Sequence, residues 1–133
     1  MSQTYRIDTR QREEMIDITE QVAAFVTESG LRDGWAVVTC PHTTAGLTIN
    51  ENADPDVQRD ILHALRELIP VDMGFQHFEH NSDAHLKSSL MGAHTLVPVE
   101  DGRLALGRWQ GVYLCEFDGP KTRSIRIGCL AEH

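Results

Sequence analysis

The sequence predicts an α+β fold: a largely antiparallel sheet, two main helices and one short helix. Three observations lead there. Segments that read as strands outnumber helices, and most sit beside a turn signal, so they pair as hairpins. Two stretches repeat apolar residues at helical spacing between recognisable start and stop residues. A length of 133 residues is enough for one domain with a real core, so residues 1–133 read as a single domain.

The elements follow in order. Thr4 to Thr9 alternates and predicts a first strand. Asp17 and Glu20 have the spacing of a capping box. Ile18, Val22, Phe25 and Val26 recur at helical spacing and Gly30 is a natural stop, which predicts a helix over about 18–29. Gly34 opens the β-rich run Trp35 to Cys40, a buried strand. Pro41 to Ala45 interrupts, and Gly46 to Asn50 reads as another short strand.

Asp54 as N-cap and Pro55 at the first helical position start the second helix. Val57, Ile61, Leu65 and Leu68 form its apolar stripe, and Pro70 ends it. After a loop over about 70–83, His85 to Met91 reads as a short helix capped by Gly92. The remaining strands are His94 to Val99 and Arg103 to Leu106, joined through Glu100, Asp101 and Gly102. Trp109 to Phe117 is apolar at both parities, as a central strand buried on two faces should be. Asp118, Gly119 and Pro120 turn the chain into a last strand, Arg123 to Leu130.

The bulk composition narrows the function. A net charge of −8 opposes the general phosphate attraction of nucleic-acid binders, so neither nucleic acid nor an anionic membrane is expected as a partner. It leaves room for a local anion pocket. The first fifteen residues lack the apolar run of a signal peptide, and no stretch approaches the roughly 20 apolar residues of a membrane span. Cys40, Cys115 and Cys129 are far apart with no CxxC pair; they read as buried, reduced thiols of a cytoplasmic protein. No GxSxG, Walker or dinucleotide glycine pattern occurs.

Chemistry concentrates in the run QHFEHNSDAHLKSSLMG, from Gln76 to Gly92. His77, His80, Asp83 and His85 supply the nitrogen and carboxylate ligands that suit Zn²⁺, though at no standard zinc spacing. Lys87, Ser88 and Ser89 suit a phosphate, as a point charge beside two hydroxyls; the alternative is a solvated helix surface. Two further stretches read as companions that meet this run in the fold. In Pro41 to Ala45, His42 follows a buried strand as a ligand or general acid–base, and Thr43 and Thr44 can hold an anion or cap the turn. In Asn50 to Asp54, Glu51 and Asn52 precede a helix N-terminus, Asp54 serves as its cap, and a carboxylate there can hold Mg²⁺. Glu116 and Arg123 pair across their hairpin, with Arg123 alternatively on a phosphate. His63 reads as solvated, His94 as a strand opener and His133 as a loose terminus.

These residues carry a resemblance. The run HLKSSLMG from His85 to Gly92, then Pro98, Gly102 to Leu104, Gly107 to Gln110 and Glu116, resembles the signature of the YjbQ-like family, also called the secondary thiamine-phosphate synthase enzyme family. Pro41 to Ala45 and Asn50 to Pro55 match as well, so the resemblance spans nearly the whole chain. It implies a compact α+β homotrimer with a polar active-site pocket, and it puts His42, Glu51, Asn52, Asp54, His77, His85, Lys87 and Ser88 at the expected polar positions.

The implied reaction is a weak, secondary one, in which hydroxymethylpyrimidine diphosphate and thiazole phosphate join and pyrophosphate leaves. It implies catalytic roles for His42, His85, Glu51 and Asn52, and phosphate contacts from Thr43, Thr44, Lys87, Ser88, Ser89 and Arg123. A divalent ion, Mg²⁺ or Zn²⁺, would be held by a set drawn from His42, His77, His85 and Asp54. Two alternatives stand beside the transferase: a metal-dependent hydrolase of a small phosphorylated metabolite, and a non-enzymatic trimeric module that binds an anionic one.

Overall fold

The computed structural model describes residues 1–77 and 79–132. In chain order the elements are β1 (Ser2–Asp8), β2 (Glu14–Asp17), α1 (Thr19–Ser29), β3 (Gly34–Thr39), β4 (Ala45–Glu51), α2 (Pro55–Leu68), α3 (Ser82–Met91), β5 (His94–Glu100), β6 (Arg103–Leu104), β7 (Gln110–Glu116) and β8 (Thr122–Ala131). Five strands form one sheet in the order β1-β8-β3-β5-β6, and three form a second in the order β2-β7-β4. Every pairing is antiparallel.

Strand β7 shows why the two sheets stack with helices outside. Its side chains alternate between two cores, as period-2 geometry demands. Val112 and Leu114 join the main core with α1 and the inner face of the larger sheet. Tyr113, Cys115 and Phe117 point the other way, onto Leu65 of α2 and Ala84 of α3. The expected burial on both faces is therefore met from Gly111 to Glu116, but Trp109, expected in this strand, precedes it and is 54% exposed. No helix among the described residues is long and apolar enough to cross a membrane.

Several boundaries differ from expectation, each for a physical reason. Strand β2 was not anticipated; four residues leave too little alternation to read. The capping box before α1 does not form: Asp17 Oδ1 accepts from the Thr19 N–H at 2.9 Å and its hydroxyl at 2.5 Å, and the helix starts at Thr19. Helix α3 begins at Ser82, earlier than His85, because the Asn81 carbonyl accepts from the N–H groups of both Ala84 and His85. Strand β6 stops at Leu104, not Leu106, where the Ala105 N–H returns to the Pro98 carbonyl. In the α2 stripe only Leu65 is buried; Leu68 is 68% exposed. Cys129 is half-buried, unlike Cys40 and Cys115. His133 lies outside the described residues.

Candidate functional site

The end of β3 builds the site. Thr39 pairs with Arg126, so a continued register would set position 41 opposite Ser124. Pro41 turns the chain out of the sheet instead. His42 then folds back, and its Nε2 accepts the Ser124 N–H at 2.9 Å, so the ring takes over the lost ladder bond. The end of α3 is fastened to the same place. The Gly92 carbonyl accepts from the Leu47 N–H at 2.9 Å, and the Ala93 carbonyl from the Cys40 N–H at 2.8 Å. This approach depends on Gly46: a Cβ there would stand 2.8 Å from the Met91 Cβ and 3.0 Å from the Gly92 carbonyl oxygen. Between the His42 loop and α3 runs a groove of about 450 Å³, lined by His42, Thr43, His85, Ser88, Ser89 and the Gly92–Ala93 backbone.

The chemistry of the groove is that of neutral donors. Because His42 Nε2 accepts a hydrogen bond, Nδ1 carries the proton of the neutral ring. Burial, helped by the nearby Arg123 charge, pushes the His42 pKa below its ordinary value, which keeps the ring neutral near pH 7. His85 faces the same groove and contacts the His77 ring edge to face, with centroids 5.5 Å apart and planes at 80°. The Ser89 hydroxyl donates to the His85 carbonyl at 2.9 Å. None of the side chains lining the groove is a carboxylate.

Other expected site residues lie elsewhere. Lys87 is fully buried, neither solvated nor lining the groove; its Nζ donates to Glu13 at 2.8 Å and Asp83 at 2.9 Å. Arg12 reaches Asp83 with both terminal nitrogens, at 3.1 and 3.2 Å, so Asp83 is a structural partner and not a ligand. Arg123 is equally committed: its Nε donates to Glu116 at 2.9 Å, and its Nη2 to the Thr44 hydroxyl at 2.8 Å. This confirms the expected hairpin pair and takes Arg123 and Thr44 out of the phosphate set. Burial alone would raise the Glu116 carboxyl. Hydrogen bonds from Arg123, the Asp118 N–H and Thr9 outweigh it and hold the carboxyl below its usual range.

The three polar stretches do not meet within one chain. Glu51 and Asn52 lie at the far end of β4 from Ala45 and the His42 loop. Seven residues at about 3.4 Å each span roughly 20 Å. Asp54 accepts the Asp56 N–H at 2.9 Å as the expected cap of α2. The metal set His42, His77, His85 and Asp54 is thereby dispersed. Asp54 caps a distant helix, the His42 Nε2 lone pair is occupied, and only His77 and His85 touch. Among the described residues, no group of three or more His, Cys, Asp or Glu side chains is placed to hold a metal ion. Cys40 and Cys115 offer no nucleophile either: burial raises the Cys40 pKa and pushes Cys115 up to about 12.

Two determinants escaped sequence reading. The Ser124 N–H orients His42 from 82 positions away, and a backbone group leaves no residue-type signal. Gly46 read only as a strand opener; its small size is the trace of a close approach, but sequence does not say by what.

The chain resembles known proteins along its length. A family model described as UPF0047 protein YjbQ-like matches residues 3–132. UPF0047 protein YugU of Bacillus subtilis is 55% identical over 96% of this chain and 97% of its own. UPF0047 protein MJ1081 of Methanocaldococcus jannaschii is 48% identical over 96% and 93%. A solved YjbQ/UPF0047 family protein of Clostridium acetobutylicum superposes with a TM-score of 0.94 at 51% identity, covering 96% of this chain and 98% of that one. A YbjQ-like protein of unknown function from Sulfolobus solfataricus superposes at 0.95 with 32% identity, covering 99% and 97%.

Proposed function

The chain belongs to the YjbQ-like UPF0047 family, and on that premise we propose that its His42–His85 groove is the site of a weak transferase of the thiamine-phosphate synthase type. Hydroxymethylpyrimidine diphosphate and thiazole phosphate join there, and pyrophosphate leaves. One observation carries the reading. Two imidazoles from distant parts of the chain share a groove with three hydroxyls and no carboxylate, in a protein of net charge −8. Keeping carboxylates out of one groove of an acidic protein favours an anion there.

The chain's own side chains carry the roles. His42 presents its Nδ1–H to an oxyanion, with the ring held by Ser124. Thr43, Ser88 and Ser89 add hydroxyl donors, and His85 protonates the departing oxygen. Among the described residues no group of His, Cys, Asp or Glu side chains fits a resident divalent ion, so none of these roles passes through a metal. Assembly as a homotrimer belongs to the same proposal. Trp35, Leu96 and Leu130 stay 44%, 50% and 58% exposed on the larger sheet, an apolar surface for copies to cover. Glu51 and Asn52 reach a groove only if a neighbouring copy supplies them. A cytoplasmic location fits the unpaired thiols of Cys40 and Cys115.

The test is pyrophosphate release from the two precursors with added Mg²⁺, in wild type and His85→Ala. Release in wild type that vanishes in the variant supports the transferase. No release from wild type at high protein concentration removes it. A second reading, anion binding without turnover, draws on the occupied His42 Nε2, which leaves that ring a donor and not a base. Saturable binding of pyrophosphate with no turnover would favour it.

A further inference from the structure

The His42 loop does not fix its own shape. Among the described residues, no backbone hydrogen bond links one residue of Pro41 to Thr44 with another. Two adjacent residues of β8 hold the loop instead, one by its backbone and one by its side chain. Ser124 donates its N–H to His42 Nε2 at 2.9 Å. Arg123, which is buried, donates through Nη2 to the Thr44 hydroxyl at 2.8 Å and to the Thr44 carbonyl at 3.3 Å. Behind Arg123 stands a buried chain of bonds. Its Nε donates to Glu116 Oε1 at 2.9 Å, and the same oxygen accepts from the Thr9 hydroxyl at 2.8 Å. The other Glu116 oxygen accepts from Arg123 Nη2 and from the Asp118 N–H. Gly119 lets the turn close over this chain, since a Cβ there would stand 2.8 Å from Glu116 Cγ and 2.9 Å from Thr9 Oγ1. A planar guanidinium pinned in this way has one direction left to reach, and it reaches Thr44.

We propose that Thr44 is a positioning residue of the groove: gripped by Arg123, it sets the loop so that the His42 ring meets the Ser124 N–H and offers its Nδ1–H to a ligand. The proposal rests on the reading of the groove as an anion site. Thr44 does not line the groove, so it acts through His42, two residues back. The bond at Nε2 is what selects the tautomer, because a neutral imidazole carries one proton and an accepting Nε2 leaves it on Nδ1. A loop released from Arg123 lets the ring leave Ser124. Both tautomers then become open to it, and the groove loses a donor of fixed direction. The Glu116–Arg123 pair thus does more than join the hairpin. Its free edge carries the order of the buried network out to the groove.

The experiment compares the full wild-type chain with Thr44→Val, which keeps the side-chain volume and loses the acceptor, and with Thr44→Ser, which keeps the hydroxyl. The ligand-free proteins are followed by NMR, through hydrogen exchange of the Ser124 amide and the ring nitrogen resonances of His42. Each is then titrated calorimetrically with inorganic pyrophosphate. Stability alone does not decide the matter, because a buried Arg123 short of one acceptor destabilises Thr44→Val wherever the loop lies. In Thr44→Val the Ser124 amide is expected to exchange about tenfold faster, and the His42 nitrogens to lose the signature of a single tautomer. Pyrophosphate binding should weaken about tenfold, the worth of one hydrogen bond. Thr44→Ser should restore all three. Wild-type exchange at Ser124 and wild-type His42 resonances in folded Thr44→Val overturn the proposal, as does a serine variant that behaves like the valine one. Thr44→Ala replaces the valine variant, with the same expectations, where valine prevents folding. Absence of pyrophosphate binding in wild type removes the groove reading, and the resonances then decide the positioning of His42 on their own.

Discussion

Helix α3 carries two polar clusters of opposite character. On one side Asp83 and Lys87 are fully buried and tied to Arg12 and Glu13, which come from the loop before β2. On the other, His85 and Ser89 face a groove that no carboxylate, lysine or arginine side chain lines. The charged residues are the ones that look chemical in a sequence, yet here they hold the helix down. The groups left for a ligand are imidazoles and hydroxyls. Charge is costly to bury, so a helix that buries a lysine must pair it, and pairing removes it from the site.

The largest test of this division is Lys87→Ala. It leaves Asp83 and Glu13 buried with fewer partners, and removing one member of such a network costs about 3–5 kcal/mol. Urea unfolding should register that loss. A cost under about 1 kcal/mol would mean the pair behaves as a solvated one, and the contrast between the two sides would fall.

Acid stability comes next. The folded Asp83 and Glu116 carboxyls titrate below their usual values, because Arg12 and Lys87, and Arg123, outweigh the burial that opposes ionisation. A depressed folded pKa stabilises the protein above the unfolded value, and the contribution is lost as pH falls through the folded one. Stability should therefore decline on the acid side of the ordinary carboxylate range. Glu116→Gln should be less stable than wild type at neutral pH, and the gap should close on acidification. A gap independent of pH would show that the Glu116 charge is not what Arg123 holds.

Much of this division was legible only in part. The double burial of β7, the Asp54 cap and the Glu116–Arg123 pair were readable, since alternation, cap chemistry and hairpin proximity are local. The grouping of Asp83 and Lys87 with Arg12 and Glu13 was not, because their partners lie 71 and 74 positions away. Nor was the separation of Glu51 from His42. Only nine positions part them in sequence, but extended β4 between them turns closeness in sequence into distance in space. His42 and His85 could be nominated from residue type, while their meeting depends on the strand-end turn at Pro41 and the bare Cα of Gly46.

Gly46→Ala probes that meeting. The new methyl would overlap Met91 and the Gly92 carbonyl, and such overpacking costs about 1–3 kcal/mol. The shift should appear in the groove as changed amide resonances for Ser88 to Ala93 in NMR spectra. Unchanged resonances there would mean that α3 is not seated through this contact. His42→Ala is a smaller disturbance. It strands the Ser124 N–H, a loss of about 1 kcal/mol where the site is half-buried. His42→Gln, with an amide oxygen in reach, should recover part of it. Equal losses in the two variants would argue that packing of the ring, not its bond to Ser124, is what matters.

The smallest expected effect is the most informative. His85 lines the groove and its ring contact is to His77, itself an exposed loop residue. The Ser89 hydroxyl bonds to the His85 carbonyl and not to the ring, so truncating the side chain breaks no hydrogen bond within α3. His85→Ala should then alter unfolding free energy by no more than about 0.5 kcal/mol, as substitutions outside a packed core do. The ring stays at the groove although the fold does not need it there, which separates it in purpose from Lys87, two residues further along the same helix. A loss approaching that of Lys87→Ala would place His85 on the structural side of the helix, and the difference between the two faces of α3 would then be one of degree.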